Sequence, residues 1–247
     1  TLASASSYRL TDATGNTGEV VSTHANITVA KADVHLGATN KTDYLYSLND
    51  TAALLAAQDV DSVAAVGSAQ SVTVNTTASI DQLSAINTSK SSGATLSYTS
   101  ITDTSDNLVN DGGTFVNTNK TVIFNNAHTL SSLKTINGRT TGSITLNDTS
   151  VALEDSLSGI QTAIGGTITN STYTGTITIN DGSGTLAATD LSAIGAFTNQ
   201  TVTVSNGITI SGSQADVTNA LVHSTKSVAA ASAVVTITDS SGTLAAT

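Results

Sequence analysis

Short segments in which apolar and polar residues alternate recur along the chain and predict β-strands. Val, Ile or Leu occupies every second position and Thr usually fills the position between, as in Val72-Thr-Val74 and Ile177-Thr-Ile179. The predicted strands cover residues 27–29, 72–74, 96–98, 122–124, 144–146, 177–179, 202–204, 208–210 and 235–237.

Segments with helical spacing lie between these strands. Apolar residues three positions apart predict about two turns of helix at 80–86, 130–136 and 191–194. Ser213 and Asp50 are candidate capping residues for two further helices, at 214–221 and 51–57. The pattern predicts a mainly β protein with short interspersed α-helices, arranged as a solenoid-like stack of strand–short helix–strand units.

A short motif recurs at the ends of many strands. It consists of an apolar residue, a small polar residue, Asp and a further small residue. The clearest copies place the Asp at 103, 148, 181 and 239, and looser copies place it at Asp12 and Asp50. Such recurrence is typical of an array of similar structural units.

The repeats also fix the expected organisation of the chain. Val72, Leu83 and Ile86 have counterparts in Val122, Leu133 and Ile136, at an offset of 50 residues in every case. We expect a divergent N-terminal region at 1–62 and tandem repeats of roughly 50 residues at 63–247. Segment 241–247 repeats segment 183–189 letter for letter, so we expect the last repeat to be truncated.

One signal argues against a purely parallel arrangement. Asn206-Gly207 separates the predicted strands ending at Val204 and beginning at Ile208, and Asn-Gly is typical of a two-residue hairpin turn. The chain contains no Pro, so Gly, Asn, Asp and Ser must form its turns.

Composition narrows the class of protein. Aromatic residues make up 3% and charged residues 11% of the chain, against about 25% charged residues in ordinary soluble domains. The net charge of −10 argues against nucleic acid as a partner, because its recognition requires a basic patch. No apolar run approaches the roughly 20 residues of a membrane span, so we expect no membrane insertion. Low charge and abundant Thr favour an extracellular location at the cell surface.

Two segments resemble the tandem Thr-, Ala- and Asp-rich repeats of very large cyanobacterial cell-surface proteins and related phage structural proteins. The first is VVTITDSSGTLAAT, at 234–247, and the second is ITISGSQADVTNAL, at 208–221. The end of the first segment has an earlier copy at 183–189, and there the next residues are Asp190-Leu-Ser-Ala-Ile194. The likeness covers the chain from Val63 onward and is best from Gly175. It implies an extracellular structural role and supplies no catalytic residue.

The repeated carboxylates are candidate calcium ligands. A carboxylate beside carbonyl and hydroxyl oxygens suits Ca²⁺, which takes six to eight oxygen ligands. The alternative is that each Asp caps a turn by accepting hydrogen bonds from backbone N–H groups. The candidates are Asp103, Asp148, Asp181 and Asp239.

Nine Asn-x-Ser/Thr triplets are candidate glycosylation sites, although a chain rich in Asn, Ser and Thr also produces them by chance. They begin at Asn26, Asn40, Asn49, Asn75, Asn87, Asn119, Asn147, Asn170 and Asn199. Four histidines stand alone in sequence and are predicted to be surface or turn residues. They are His24, His35, His128 and His223.

These features predict a non-enzymatic structural subunit of an extracellular filament, sheath or surface layer, whose partners are copies of itself that join through repeat ends or edges. The alternative is an adhesin stalk or phage fibre segment that reaches a receptor. A polysaccharide hydrolase is the weakest hypothesis, because three Phe, five Tyr and no Trp offer little aromatic surface for sugar. The sequence predicts no cofactor other than the candidate calcium.

Overall fold

The structure is a computed structural model that describes residues 7–11, 17–22, 25–39, 45–170, 172–222 and 228–239. Asp12, His24, Asn40, His223 and segment 241–247, all singled out by the sequence, lie outside the described residues. The chain forms two compact parts, Thr1–Asp103 and Thr104–Thr247.

The N-terminal part, Thr1–Asp103, alternates strands and short helices. Its strands are β1 Ser7–Thr11, β2 Thr17–Ser22, β3 Ala25–Ile27, β4 Tyr46–Asp50, β5 Ser71–Val74, β6 Thr95–Ser97 and β7 Ser100–Asp103. Its helices are α1 Val29–Leu36, α2 Ala52–Leu55, α3 Val60–Ser68 and α4 Ile80–Ser89.

Strands β3, β4, β5 and β6 form one parallel sheet in chain order. Leu48 lies opposite Val72, and Val72 lies opposite Leu96, so the step from β4 to β5 equals the step from β5 to β6. Ala78 forms a parallel bridge with Ile101 of β7. Strands β1 and β2 differ, since they pair antiparallel with each other. The helices lie on the connections that parallel strands require.

The C-terminal part, Thr104–Thr247, repeats the same alternation. Its strands are β8 Thr121–Phe124, β9 Ile144–Thr145, β10 Leu153–Asp155, β11 Ile177–Ile179, β12 Thr185–Ala187, β13 Val202–Val204, β14 Thr209–Gly212, β15 Val228–Ala229 and β16 Val234–Ile237. Its helices are α5 Ser105–Asn110, α6 Leu130–Arg139, α7 Leu157–Ile164, α8 Ala188–Phe197 and α9 Gln214–Leu221.

Two parallel sheets run through the end of this part. Strands β10, β11, β13 and β15 form one sheet, and β12, β14 and β16 form the other. Ile177 of β11 lies between Leu153 and Val202, and Thr209 of β14 lies between Thr185 and Val234. Both sheets therefore advance by 24 to 26 residues from strand to strand. We call each such strand–helix unit a repeat; it is about half as long as the repeat predicted from the sequence. Strands β8 and β9 also pair in parallel.

The core lies between strand residues and the apolar faces of the helices. Val72 of β5, together with Leu83 and Ile86 of α4, is fully buried. Leu133 and Ile136 of α6 are fully buried in the C-terminal part. Their spacing of three residues is the one that predicted these helices, and it places both side chains on one helix face.

Hydroxyl and amide side chains form hydrogen bonds between neighbouring strands at the strand positions that alternate with the core residues. Ser71 Oγ donates to Ser47 Oγ at 2.7 Å, and the Thr145 and Thr169 hydroxyl oxygens are 2.7 Å apart. Because each pair joins equivalent positions of adjacent strands, the Thr- and Ser-rich positions form hydrogen-bonded rows.

The structure confirms alternating strand and short-helix units, but strand does not predominate. More of the described residues lie in helices than in strands, because α4, α6 and α8 extend to 10 residues each and the sequence did not predict α1, α3, α5 and α7. The strand predicted at 27–29 ends at Ile27, since Thr28 caps α1 with its side chain. Asp50 does not cap α2; Thr51 does.

The predicted hairpin at Asn206-Gly207 is wrong. Strands β13 and β14 flank this turn but belong to different sheets, where each pairs in parallel with strands of other repeats. Asn206 Nδ2 donates to the carbonyls of Asn180 and Asp181 at 3.0 and 2.9 Å. The Asn therefore ties one repeat to the preceding one, instead of closing a two-residue turn.

Candidate functional site

Four of the repeated Asp residues cap helices that lie earlier in the chain. In each case a carboxylate oxygen accepts a hydrogen bond from the backbone N–H of the first helical residue, 21 to 25 positions before the Asp. The pairs are Asp50 with Val29 at 2.9 Å, Asp103 with Ile80 at 2.9 Å, Asp181 with Leu157 at 2.6 Å, and Asp239 with Gln214 at 2.6 Å. We call this contact the inter-repeat cap.

Uncharged side chains make the same contact at other repeats. Asn126 Oδ1 accepts from the N–H of Ser105, the first residue of α5, at 2.8 Å, and Thr76 Oγ1 accepts from the N–H of Ala52, the first residue of α2, at 2.9 Å. An oxygen acceptor in the right place is therefore sufficient, and a negative charge is not required. The repeated Asp does not mark these two positions in the sequence, because Asn126 and Thr76 stand in its place.

The inter-repeat cap works together with the helix's own N-cap, the residue directly before the helix. Before α4, the Ser79 hydroxyl accepts a hydrogen bond from the N–H of Gln82, and the Gln82 side-chain oxygen accepts one from the N–H of Ser79. The first N–H groups of a helix have no partner inside the helix, so each needs an acceptor from elsewhere. Ser79 satisfies one of them in α4, and Asp103 satisfies another from the next repeat.

Asp50, the last residue of β4, shows what a carboxylate adds at this position. Its side chain is only 6% exposed, and its two oxygens accept from Val29 N at 2.9 Å and from Thr51 N at 2.8 Å. One side chain thus joins the start of α1 to the residue before α2. A buried carboxylate is tolerated because each oxygen has a backbone donor.

Asp148 and Asp155 use their carboxylates differently. Asp148 Oδ1 accepts from the hydroxyl and N–H of Ser150, so it caps its own turn, and these bonds hold its pKa below the usual range. Asp155 accepts from the Lys134 ammonium of α6 and from Ser156 N. The Lys134 contact is the main reason that the pKa of Asp155 lies below its usual value.

In these contacts the Asp carboxylates accept hydrogen bonds. Calcium binding by the same carboxylates stays a prediction. Within the described ranges, no group of three or more His, Cys, Asp or Glu side chains is placed to hold a metal ion. Asp103, Asp181 and Asp239 accept hydrogen bonds from backbone N–H groups, which are the partners expected from the capping alternative. These N–H groups belong to helices and not to local turns.

The candidate glycosylation residues occupy varied positions, and modification of them stays a prediction. Asn75 Nδ2 donates to Asn49 Oδ1 at 2.9 Å, and Asn170 exchanges two hydrogen bonds with the backbone of Leu146. Those amides therefore already serve the contacts between repeats. The exposed residues in the described part of the chain are Asn26, Asn75, Asn87, Asn119, Asn147 and Asn199.

The prediction of surface histidines is wrong for the two that the structure describes. His35 is 1% exposed and His128 is 2% exposed. His128 Nε2 lies 3.2 Å from the hydroxyl oxygen of Tyr173, 45 residues further along the chain. No spacing in the sequence indicates this pair, because the segments that carry it meet only through the stacking of repeats.

Comparison of the chain with models of protein families, with curated proteins and with solved structures finds no match. The resemblance to cyanobacterial and phage repeats therefore stays a prediction from the residues. Among the described residues, no helix combines the length and apolar character needed to cross a membrane.

Proposed function

We propose that this chain is a non-enzymatic structural subunit of an extracellular filament, sheath or surface layer, and that its strand–helix units form a solenoid-like stack. Its role is mechanical: successive repeats hold one another through strand hydrogen bonds and helix caps, and further copies of the chain add at repeat ends or edges. Abundant Thr and Ser with little charge favour the extracellular location.

The local nature of the contacts supports a stack. In both parts of the chain, each parallel strand pairs with the strand of the repeat before or after it. The inter-repeat caps span similarly short intervals, from the one between Val29 and Asp50 to the one between Gln214 and Asp239. Each repeat is therefore bound chiefly to its neighbours in sequence. A structure built from nearest-neighbour contacts extends by adding repeats, without any change to those already present.

The edge at β16 is the observation that carries the self-assembly proposal. Ile210 of β14 lies between β12 and β16 and is fully buried. Its neighbour Val235 on β16 is 44% exposed, and Val234 is 65% exposed. In the part of the chain that the structure describes, β16 pairs on one side only. Unpaired backbone groups beside exposed valines favour the addition of another strand.

Sedimentation velocity over a wide range of protein concentration, with electron microscopy of the same samples, tests this proposal. We expect the purified chain to form linear or layered assemblies, and Val235→Lys to reduce them by placing a charge on the edge. Val60→Lys is the matched control, since Val60 is 83% exposed on α3, in the other part of the chain. A chain that stays monomeric at every concentration contradicts the proposal and favours the stalk alternative.

A further inference from the structure

A row of four rings, three of them buried and the fourth, Phe197, half-buried, crosses several repeats of the C-terminal part. The His128 ring centroid lies 6.0 Å from that of Phe124 and 6.1 Å from that of Tyr173, and Tyr173 stacks on Phe197 at 5.0 Å. Phe124 belongs to β8 and Phe197 to α8, so the row joins segments that are far apart in sequence. His128 is the one titratable nitrogen base in it.

Hydrogen bonds fix where the protons lie. The Tyr173 hydroxyl oxygen is 2.5 Å from the carbonyl oxygen of Val151, and a carbonyl only accepts, so the hydroxyl donates to Val151. The hydroxyl oxygen must then accept from His128 Nε2, at 3.2 Å. His128 therefore carries a proton on Nε2, and in its neutral form it is the Nε2–H tautomer. Its other nitrogen, Nδ1, is buried and has no hydrogen-bond partner among the described residues.

Asp148 is the charged group that acts on this row. Its negative charge favours protonated His128, but burial of the ring has the larger effect and lowers the pKa of His128 below its usual value. Burial also raises the pKa of Tyr173, so its hydroxyl keeps its proton at ordinary pH. Phe124 and Phe197, which flank the pair, contribute no charge.

We propose that His128 is an acid-sensitive latch between successive repeats of Thr104–Thr247. In the neutral form it donates to Tyr173, which in turn donates to Val151, so one chain of hydrogen bonds links three repeats. Protonation adds a proton at Nδ1, where no described residue accepts it, and places a positive charge on a buried ring. Mild acid should therefore loosen this part of the chain. The latch does not depend on the filament role.

The direction of the pH effect follows from proton counting. Unfolded His has a pKa of about 6.5, and the folded value is lower, so below pH 6.5 the unfolded chain binds a proton that the folded chain does not. The latch is fully effective above about pH 6.5 and its contribution falls as the pH drops towards the folded pKa. One proton raises the unfolding equilibrium constant by up to about tenfold for each pH unit in this window.

Urea unfolding of the full chain at a series of pH values from neutral to mildly acidic tests the latch. We compare wild type with His128→Phe, which keeps a ring but cannot titrate, and with His128→Gln, which keeps a side-chain N–H donor. All other histidines and all carboxylates are identical in the three proteins, so the difference between wild type and variant isolates His128. We expect the wild-type unfolding constant to rise more steeply on acidification than that of either variant.

Histidine side-chain NMR on the folded wild type gives a second readout that needs no variant. We expect the Nε2–H tautomer at neutral pH and a pKa below the usual range. Parallel pH profiles for wild type and both variants, or a His128 pKa at or above about 6.5, would overturn the latch. If His128→Phe fails to fold, His128→Gln and the NMR titration still decide the question.

Discussion

Replacing Asp50 by Ala tests the inter-repeat cap where the structure makes it strongest. The variant removes both acceptors from a buried position, the one that binds Val29 N and the one that binds Thr51 N. Val29 is itself buried, so its N–H loses a partner without gaining water. Loss of a helix cap costs about 0.5–2 kcal/mol, and a buried unsatisfied N–H costs about 1–3 kcal/mol. The two figures overlap in part, and we expect a total loss of about 2–4 kcal/mol.

Thermal unfolding measures this loss. For a chain of this size each kcal/mol shifts Tm by about 2–4 °C, so Asp50→Ala should melt well below wild type. Asp50→Asn should fall between the two proteins, because Asn keeps one acceptor oxygen, as Asn126 does for α5. The matched control is Asp33→Ala on the exposed face of α1, with an expected change within about 0.5 kcal/mol. The reasoning is refuted if Asp50→Ala and Asp33→Ala have the same Tm.

Three further outcomes follow from the packing and the charges. Gly142→Ala should destabilise the chain, because an added Cβ would lie 2.3 Å from the Lys120 carbonyl oxygen. Gly138→Ala in α6 meets open space and should stabilise the chain by about 0.5–1 kcal/mol. The urea midpoint of unfolding should therefore fall for the first variant and rise for the second. Lys134→Met should raise the pKa of Asp155 towards its usual value, measured by carboxyl NMR, while costing at most about 1 kcal/mol because the pair is partly exposed. An unchanged Asp155 pKa would show that Lys134 does not set it. Adding a calcium chelator should leave Tm unchanged, because backbone N–H groups occupy the repeated carboxylates; a fall in Tm would instead support the calcium hypothesis.

Local sequence signals predicted individual elements well. Val72 and Val74 alternate with polar residues and form β5, and Leu83 and Ile86 lie on the buried face of α4. In both elements the side chains that decide burial are close together in sequence. For β5 and α4, the spacing of the apolar residues alone is therefore enough to identify the element and its inward face.

Contacts between repeats could not be predicted in the same way. The repeated Asp was visible in the sequence, but its partner is a backbone N–H in the preceding repeat, and any helix start offers such a group. The hairpin prediction at Asn206-Gly207 is wrong for a related reason. Asn-Gly favours a hairpin locally, but the flanking strands bury their apolar side chains against other repeats.

The His128–Tyr173 pair shows the same limit more sharply. A single His with no nearby ligand residues looks like a surface residue when the sequence is read alone. Its burial follows from Phe124 in the same repeat and from Tyr173, two repeats further along the chain, whose rings both lie close to it. Only the stacking of repeats brings Tyr173 to this place.

Amide hydrogen exchange at the first residues of the helices tests the central claim most directly, namely that side chains of one repeat cap helices of the repeat before it. First-turn N–H groups ordinarily lack an intrahelical partner and exchange fast. We predict that the amides of Val29, Ile80 and Leu157 are protected, and that Asp181→Ala removes protection from Leu157 alone. Val60, the first residue of α3, serves as the reference, since no described residue outside that helix caps it. Exchange at Val29, Ile80 and Leu157 as fast as at Val60 would contradict the account.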